Sequence, residues 1–103
     1  MSPDIKPEHL EIVKHILCKN LPEEAVVWVF GSRAKQAKKK YSDLDLLIDI
    51  KERLPADVVI NLAEDFDESD LPYKVDIVDW NAISETFRNC IKDDRMLIHY
   101  HKQ

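Results

Sequence analysis

Ala25-Val26-Val27-Trp28-Val29-Phe30-Gly31-Ser32-Arg33-Ala34, followed by Ser42-Asp43-Leu44-Asp45-Leu46-Leu47-Ile48, is the stretch on which the fold of this chain turns. Its first part is a short, continuous, β-branched apolar run, which predicts a buried strand. The run ends at Gly31, the single glycine among 103 residues. A lone glycine is spent where backbone must approach something closely. Ser32 suits the N-cap of a short helix running through the lysines that follow. Leu44 to Ile50 predicts a second strand, with a pair of carboxylates at its entrance.

Working outward, Glu8 to Asn20 sets Leu10, Ile12, Val13, Ile16 and Leu17 at helical spacing, with Pro7 in the first turn. Asn20-Leu21-Pro22 ends that helix. Pro55 opens another, holding Val58, Val59, Leu62, Ala63 and Phe66 and closing at Asp67 to Asp70 and Pro72. Tyr73 to Asp79 alternates as a third strand. Asn81 or Ser84 caps a last helix from about Ala82 to Lys92, carrying Ile83, Phe87 and Ile91. Met96 to Tyr100 is an apolar tail of undecided structure. The order α-β-α-β-α-β-α predicts a single α/β (α+β) domain over residues 1–103, a sheet covered by helices.

Composition narrows the function. A net charge of −5 argues against general nucleic-acid binding, which calls for a basic footprint. Positive charge is instead concentrated, with Arg33, Lys35, Lys38, Lys39 and Lys40 filling five of the eight positions from 33 to 40. A local basic patch in an acidic chain suits a small polyanion. No apolar stretch is long enough to span a bilayer, and the N-terminus lacks the layout of a signal peptide. Cys18 and Cys90 fit no zinc or redox spacing and read as reduced, packed thiols. A cytoplasmic protein with no membrane association is expected.

Side chains alternate across a strand, so Asp43 and Asp45 point the same way, while Leu44, Leu46 and Ile48 face the helices. Adjacent carboxylates repel one another and are costly to keep ionised unless a cation neutralises them. Mg²⁺ takes oxygen ligands and keeps waters or substrate phosphates in its shell, so Asp-x-Asp makes half of a metal site that a triphosphate completes. Asp76 lies in the apolar third strand. It is either the third carboxylate, serving a two-ion clamp or accepting a hydroxyl proton, or an edge-strand acid facing solvent. Gly31 and Ser32 at a strand end supply backbone N–H groups and a hydroxyl for phosphate oxygens, and Arg33 adds charge for a leaving pyrophosphate. Alone, Gly-Ser is a turn with a helix cap. Joined to Asp-x-Asp at this spacing, the four residues recur by chance on the order of once in a thousand chains of this length.

Gly31-Ser32, ten residues, then Asp43-Leu44-Asp45 resembles the signature of the polymerase-β-type nucleotidyltransferase superfamily. Gly31-Ser32-Arg33-Ala34, Ser42-Asp43-Leu44-Asp45-Leu46 and Val75-Asp76-Ile77-Val78 resemble its minimal nucleotidyltransferases from bacteria and archaea. One departure is Lys35-Gln36-Ala37, where relatives often carry a second glycine. The resemblance implies a small mixed β-sheet with helices packed on one side and a site for Mg²⁺, two ions, and an NTP. It implies transfer of a nucleoside monophosphate, usually AMP from ATP, to a hydroxyl. It further implies a helical HEPN-type protein partner, the toxin of a toxin–antitoxin pair, adenylylated on tyrosine. The residues carried over are Asp43, Asp45 and Asp76 for metal and catalysis, and Gly31, Ser32 and Arg33 for the nucleotide. Two alternatives stand beside this reading: an antitoxin that neutralises its partner by docking, and nucleotidyl transfer to RNA or a small molecule.

Other residues stay divided. Asp49 shares the phase of Asp43 and Asp45 but lies far along the strand, and Asp79 has the opposite phase to Asp76. Trp28 and Trp80 are core or interface anchors. Tyr41 either stacks on a base or packs, and His99 and His101 are exposed or bind metal.

Overall fold

A computed structural model describes residues 5–31 and 43–98. Helix α1 covers Pro7–Asn20, strand β1 Val26–Phe30, β2 Leu44–Asp49, α2 Ala56–Asp67, β3 Val75–Asp79, α3 Glu85–Ile91 and β4 Met96–Ile98. The sheet order is β3-β2-β1-β4. β1 runs antiparallel to both β2 and β4, and β2 runs parallel to β3 with α2 as the crossover between them. The sheet is therefore mixed, as expected.

Alternation decides which side of the sheet is the main core. Val27 and Val29 of β1 and Leu44, Leu46 and Ile48 of β2 are fully buried, against Val13 and Leu17 of α1 and Leu62 and Phe66 of α2. Truncating any one of the fully buried leucines to alanine costs about 2–5 kcal/mol. Asn20 ties the two helices together: its amide donates to Ile16 O and to Asp65 Oδ2, both at 2.9 Å. That bond, with Lys19 at 3.5 Å adding to it, holds the Asp65 carboxyl below its ordinary range.

The helices divide two to one. α1 and α2 share the expected side, whereas α3 lies against the other face, where Phe30, Leu47 and Ile91 form a second, smaller buried cluster. The helix predicted from Ala82 begins later. Asp79 accepts from Asn81 N at 3.0 Å and draws Trp80–Ala82 into a 3₁₀ turn, after which Ile83 is extended. Ser84 is then the cap, its hydroxyl accepting from Phe87 N at 3.1 Å. The apolar tail supplies β4 through Met96–Ile98. Cys18 is half-buried against the main core, but Cys90 is exposed, so only one of the two thiols packs. Among the described residues no helix is long and apolar enough to cross a membrane.

Candidate active site

Two neighbouring rows of the sheet differ by one residue on each strand. Val29, Leu46 and Ile77 stand side by side on β1, β2 and β3 and join the main core. The next row is Phe30, Asp45 and Asp76. Because side chains alternate, this row points to the opposite face, where α3 covers only part of the sheet. Asp43 comes two residues before Asp45, on the exposed approach to β2. Parallel pairing of β2 with β3 thus supplies what the spacing left open: Asp76 is the direct neighbour of Asp45.

The charges feel one another. The Asp45 carboxyl is held above its ordinary range, first by burial, then by the negative charge of Asp76, then by that of Asp43. Lys74 shares the phase of Asp76, and its Nζ stands 3.6 Å from Asp76 Oδ1. Its carbonyl accepts from Leu44 N at 2.8 Å, tying the starts of β2 and β3 together. The ion pair is largely exposed and adds little stability. It does place a cation at the rim of the carboxylate row.

Gly31 closes over this row. Its φ is +76°, a region that residues with a side chain rarely adopt. A Cβ built there would stand 2.6 Å from Asp45 Oδ2. The chain's one glycine therefore has a partner that the strand-end motif alone did not identify: its backbone rests on the Asp45 carboxylate.

Gly31, Asp43, Asp45 and Asp76 converge on one end of one sheet face. Ser32 and Arg33 lie outside the described residues, as do the lysines at 35 and 38–40, Tyr41, His99 and His101. Asp49 is at the far end of β2, accepting from Lys51 N at 2.7 Å and from the Asn81 amide at 3.0 Å. Asp79 faces the other way and accepts from Leu54 N at 2.9 Å. Both are structural. Among the described residues no group of His, Cys, Asp or Glu side chains forms a ready-made metal cage. The donor chemistry nonetheless suits a hard cation, since it is oxygen only and its carboxylates repel one another. Such an ion draws its remaining ligands from water and phosphate, so a complete protein cage is not required.

The same face carries aromatic and cationic residues that no motif announced. Arg95 lies over Trp28 and Trp80, at 4.1 and 5.0 Å from the ring centroids, and Arg88 over Trp80 at 4.6 Å. Arg88 also donates to Trp80 O from Nε and Nη2, at 3.0 and 2.7 Å. Arg95 Nη1 is buried without a hydrogen-bond partner among the described residues; the tryptophan π faces are the available attraction. Phe87 of α3 meets Phe30 edge to face at 6.3 Å. Arg95 had no legible partner in the sequence because β4 is only three residues long. The same phase shared by Lys74 and Asp76 was the one available signal for Lys74.

Comparison with known proteins shows the family and the fold. The family model for "Polymerase beta, Nucleotidyltransferase" matches residues 11–103. A relative from Haemophilus influenzae, described as a probable protein adenylyltransferase, MntA, is 52% identical over 89 residues, covering 86% of this chain and 77% of its own. A toxin–antitoxin crystal structure with AMP-PNP superposes with a TM-score of 0.73 at 21% identity, over 91% of this chain and 74% of the other. The structure of a tri-AMPylated Shewanella oneidensis HEPN toxin in complex with its MNT antitoxin gives 0.70 at 19% identity, over 92% and 72%. At those identities the two superpositions show the fold.

Proposed function

The chain belongs to the polymerase-β nucleotidyltransferase family, and on that premise we propose that it transfers AMP from ATP to a hydroxyl of a helical HEPN-type protein, as the antitoxin of that pair. The observation that carries this reading is the placement of Asp76 beside Asp45, with Gly31 resting on the Asp45 carboxylate. The acceptor and partner are supported by the adenylyltransferase description of the Haemophilus relative and by the HEPN toxin complex that shares the fold.

Asp43, Asp45 and Asp76 are the residues that would hold Mg²⁺. When bound, the ions neutralise the carboxylates and the triphosphate and act as Lewis acids toward phosphoryl oxygen. Gly31, with Ser32 and Arg33, seats the triphosphate; the missing side chain at Gly31 lets phosphate oxygens reach backbone N–H groups. In the reaction the acceptor oxygen forms a bond to the α-phosphorus, and the bond from that phosphorus to the bridging oxygen breaks. Pyrophosphate leaves with the electron pair. Asp76 takes the hydroxyl proton, and Lys74 Nζ, 3.6 Å from its Oδ1, stands at the rim of the site.

The test is to incubate wild type and Asp45→Asn with Mg²⁺ and α-labelled ATP in host lysate, following label by gel and intact mass. Label on a protein band, seen with wild type only, is the expected outcome. Label on RNA or on a small molecule would overturn the protein acceptor. Neutralisation of the toxin in cells by Asp45→Asn, with transfer abolished, would overturn catalysis as the basis of the antitoxin role.

A further inference from the structure

The geometry points to a nucleobase subsite on Phe87, resting on the nucleotidyl-transfer reading and deepening it. Phe87 is a large apolar side chain left 39% exposed on a helix that otherwise buries Ile91 against the sheet. It is not a stray surface residue. Its ring stands edge to face with Phe30, and Phe30 is the cross-strand neighbour of Asp45. Phe30 itself is only 8% exposed, so it serves as the fixed support and Phe87 as the accessible ring above it.

The position of α3 is determined locally. Ser84 caps its first turn through Phe87 N, and Arg88 anchors the following residue to Trp80 O. The Phe87 backbone is therefore held from both sides while its ring stays open. Two other grooves among the described residues are less well placed for a planar ligand. A groove of about 460 Å³ lies between α1 and α2, and one of about 680 Å³ lies beside α2. The first is lined by α1, α2 and the residues just after α2, on the helical side of the sheet; the second reaches the carboxylate row only through Lys74 at its rim, and its lining carries no aromatic ring on the Asp45 side.

A nucleotide held by its phosphates at Gly31 and the aspartates must lay its base on some neighbouring surface. A purine has a large π face, and stacking on an aromatic side chain is favourable whatever hydrogen bonds its edge makes. Among the described residues, Phe87 is the exposed aromatic ring connected to Asp45 through a single residue. The occupant is thus the base of the bound nucleotide, and the ring of an acceptor tyrosine is the competing outcome. A stacked base contributes roughly 1–3 kcal/mol by alanine substitution, equivalent to about a 5- to 150-fold change in affinity.

The experiment measures equilibrium binding of Mg·ATP and of Mg·tripolyphosphate, which lacks the base, to wild type, Phe87→Leu and Phe87→Trp. Phe87→Leu retains apolar contact with Phe30, and a thermal melt verifies its folding. Expected is a five-fold or greater loss of ATP affinity in Phe87→Leu, unchanged tripolyphosphate binding, and recovery of ATP affinity in Phe87→Trp. Equal weakening of both ligands, unaltered ATP affinity, or a defect confined to the KM of the protein acceptor would overturn the base subsite alone. Wild type binding neither ligand would overturn the nucleotidyl-transfer reading itself, and the subsite with it.

Discussion

Gly31→Ala separates the two demands made on the chain's one glycine. At φ +76° any side chain is strained, and an alanine there costs about 1–2 kcal/mol from backbone sterics alone. The added Cβ also arrives 2.6 Å from Asp45 Oδ2, where ordinary contact begins at 3.4 Å. The carboxylate is the end of a rotatable side chain, so it turns away rather than breaking the sheet. Leaving its rotamer well costs a further 0.5–1.5 kcal/mol or so. A double-mutant cycle with Asp45→Ala isolates that second part, because removing the carboxylate leaves only the backbone strain. By chemical denaturation, Gly31→Ala is expected to cost about 1–2 kcal/mol in the Asp45→Ala background and measurably more in wild type. Transfer of labelled AMP should fall about 100-fold, the scale of loss when a reacting group is misplaced by an ångström. Equal stability costs in both backgrounds, or undiminished transfer, would refute the contact between Gly31 and Asp45 as the reason for the glycine.

Asp45→Asn is expected to stabilise the ligand-free protein at neutral pH, by up to about 1 kcal/mol after solvent screening. The Asp45 carboxyl is held above its ordinary value of 3.8, so the folded state takes up a proton before the unfolded chain does. Its penalty is therefore full above the folded pKa and vanishes as pH falls toward 3.8; the advantage of Asp45→Asn, read from urea midpoints, should shrink across that interval. Adding Mg²⁺ should raise the melting temperature of wild type more than that of Asp45→Asn, and EDTA should erase the difference; equal responses would count against these carboxylates as ligands. Ser84→Ala removes the α3 cap and should cost about 1 kcal/mol, with earlier hydrogen exchange in residues 85–91 and weaker nucleotide binding.

What was legible in the sequence depended on whether the information was local. β1 and β2 were readable because each is a continuous apolar run, and the common orientation of Asp43 and Asp45 follows from the two-residue period of a strand. Asp76 was half-readable: an acid in an apolar strand is conspicuous, but its role depends on which strand lies beside it. β3 could have joined either edge of the β1–β2 pair, and only its parallel register with β2 brings Asp76 to Asp45. The start of α3 turned on a competition between Asp79, which captures Asn81 N, and the helical pattern beyond it. β4 was hidden because Met96–Ile98 gains its partner only across β1. The contact of Gly31 with Asp45 was out of reach for the same reason, since it spans two strands rather than neighbouring positions.

The site occupies the sheet at a place where stability and function pull against each other on the same strand. Leu44, Leu46, Leu47 and Ile48 of β2 are all fully buried, so the central strand is gripped from both faces. That grip tolerates a row of mutually repelling carboxylates at the strand's open end, which an edge strand such as β4 has too little buried surface to carry. Register is equally constrained. Slipping β2 by one residue would turn Asp45 into the core under α1 and α2 and Leu46 out to the site, so every buried leucine on the strand opposes the slip. The hydrophobic pattern that folds the sheet is thus also what aims the aspartates. It follows that substitutions which loosen β2 from the main core, far from any ligand, should misalign Asp45 against Asp76 and reduce transfer before they unfold the protein. Leu46 is where this is most exposed, being the residue between the fully buried Val29 and the half-buried Ile77. Leu46→Val, a modest loss of volume, should lower transfer by a larger factor than a cavity of equal size at Leu62, which lies on α2 and not on a strand of the site; equal losses at equal cost in stability would show that the strand's register does not control the site.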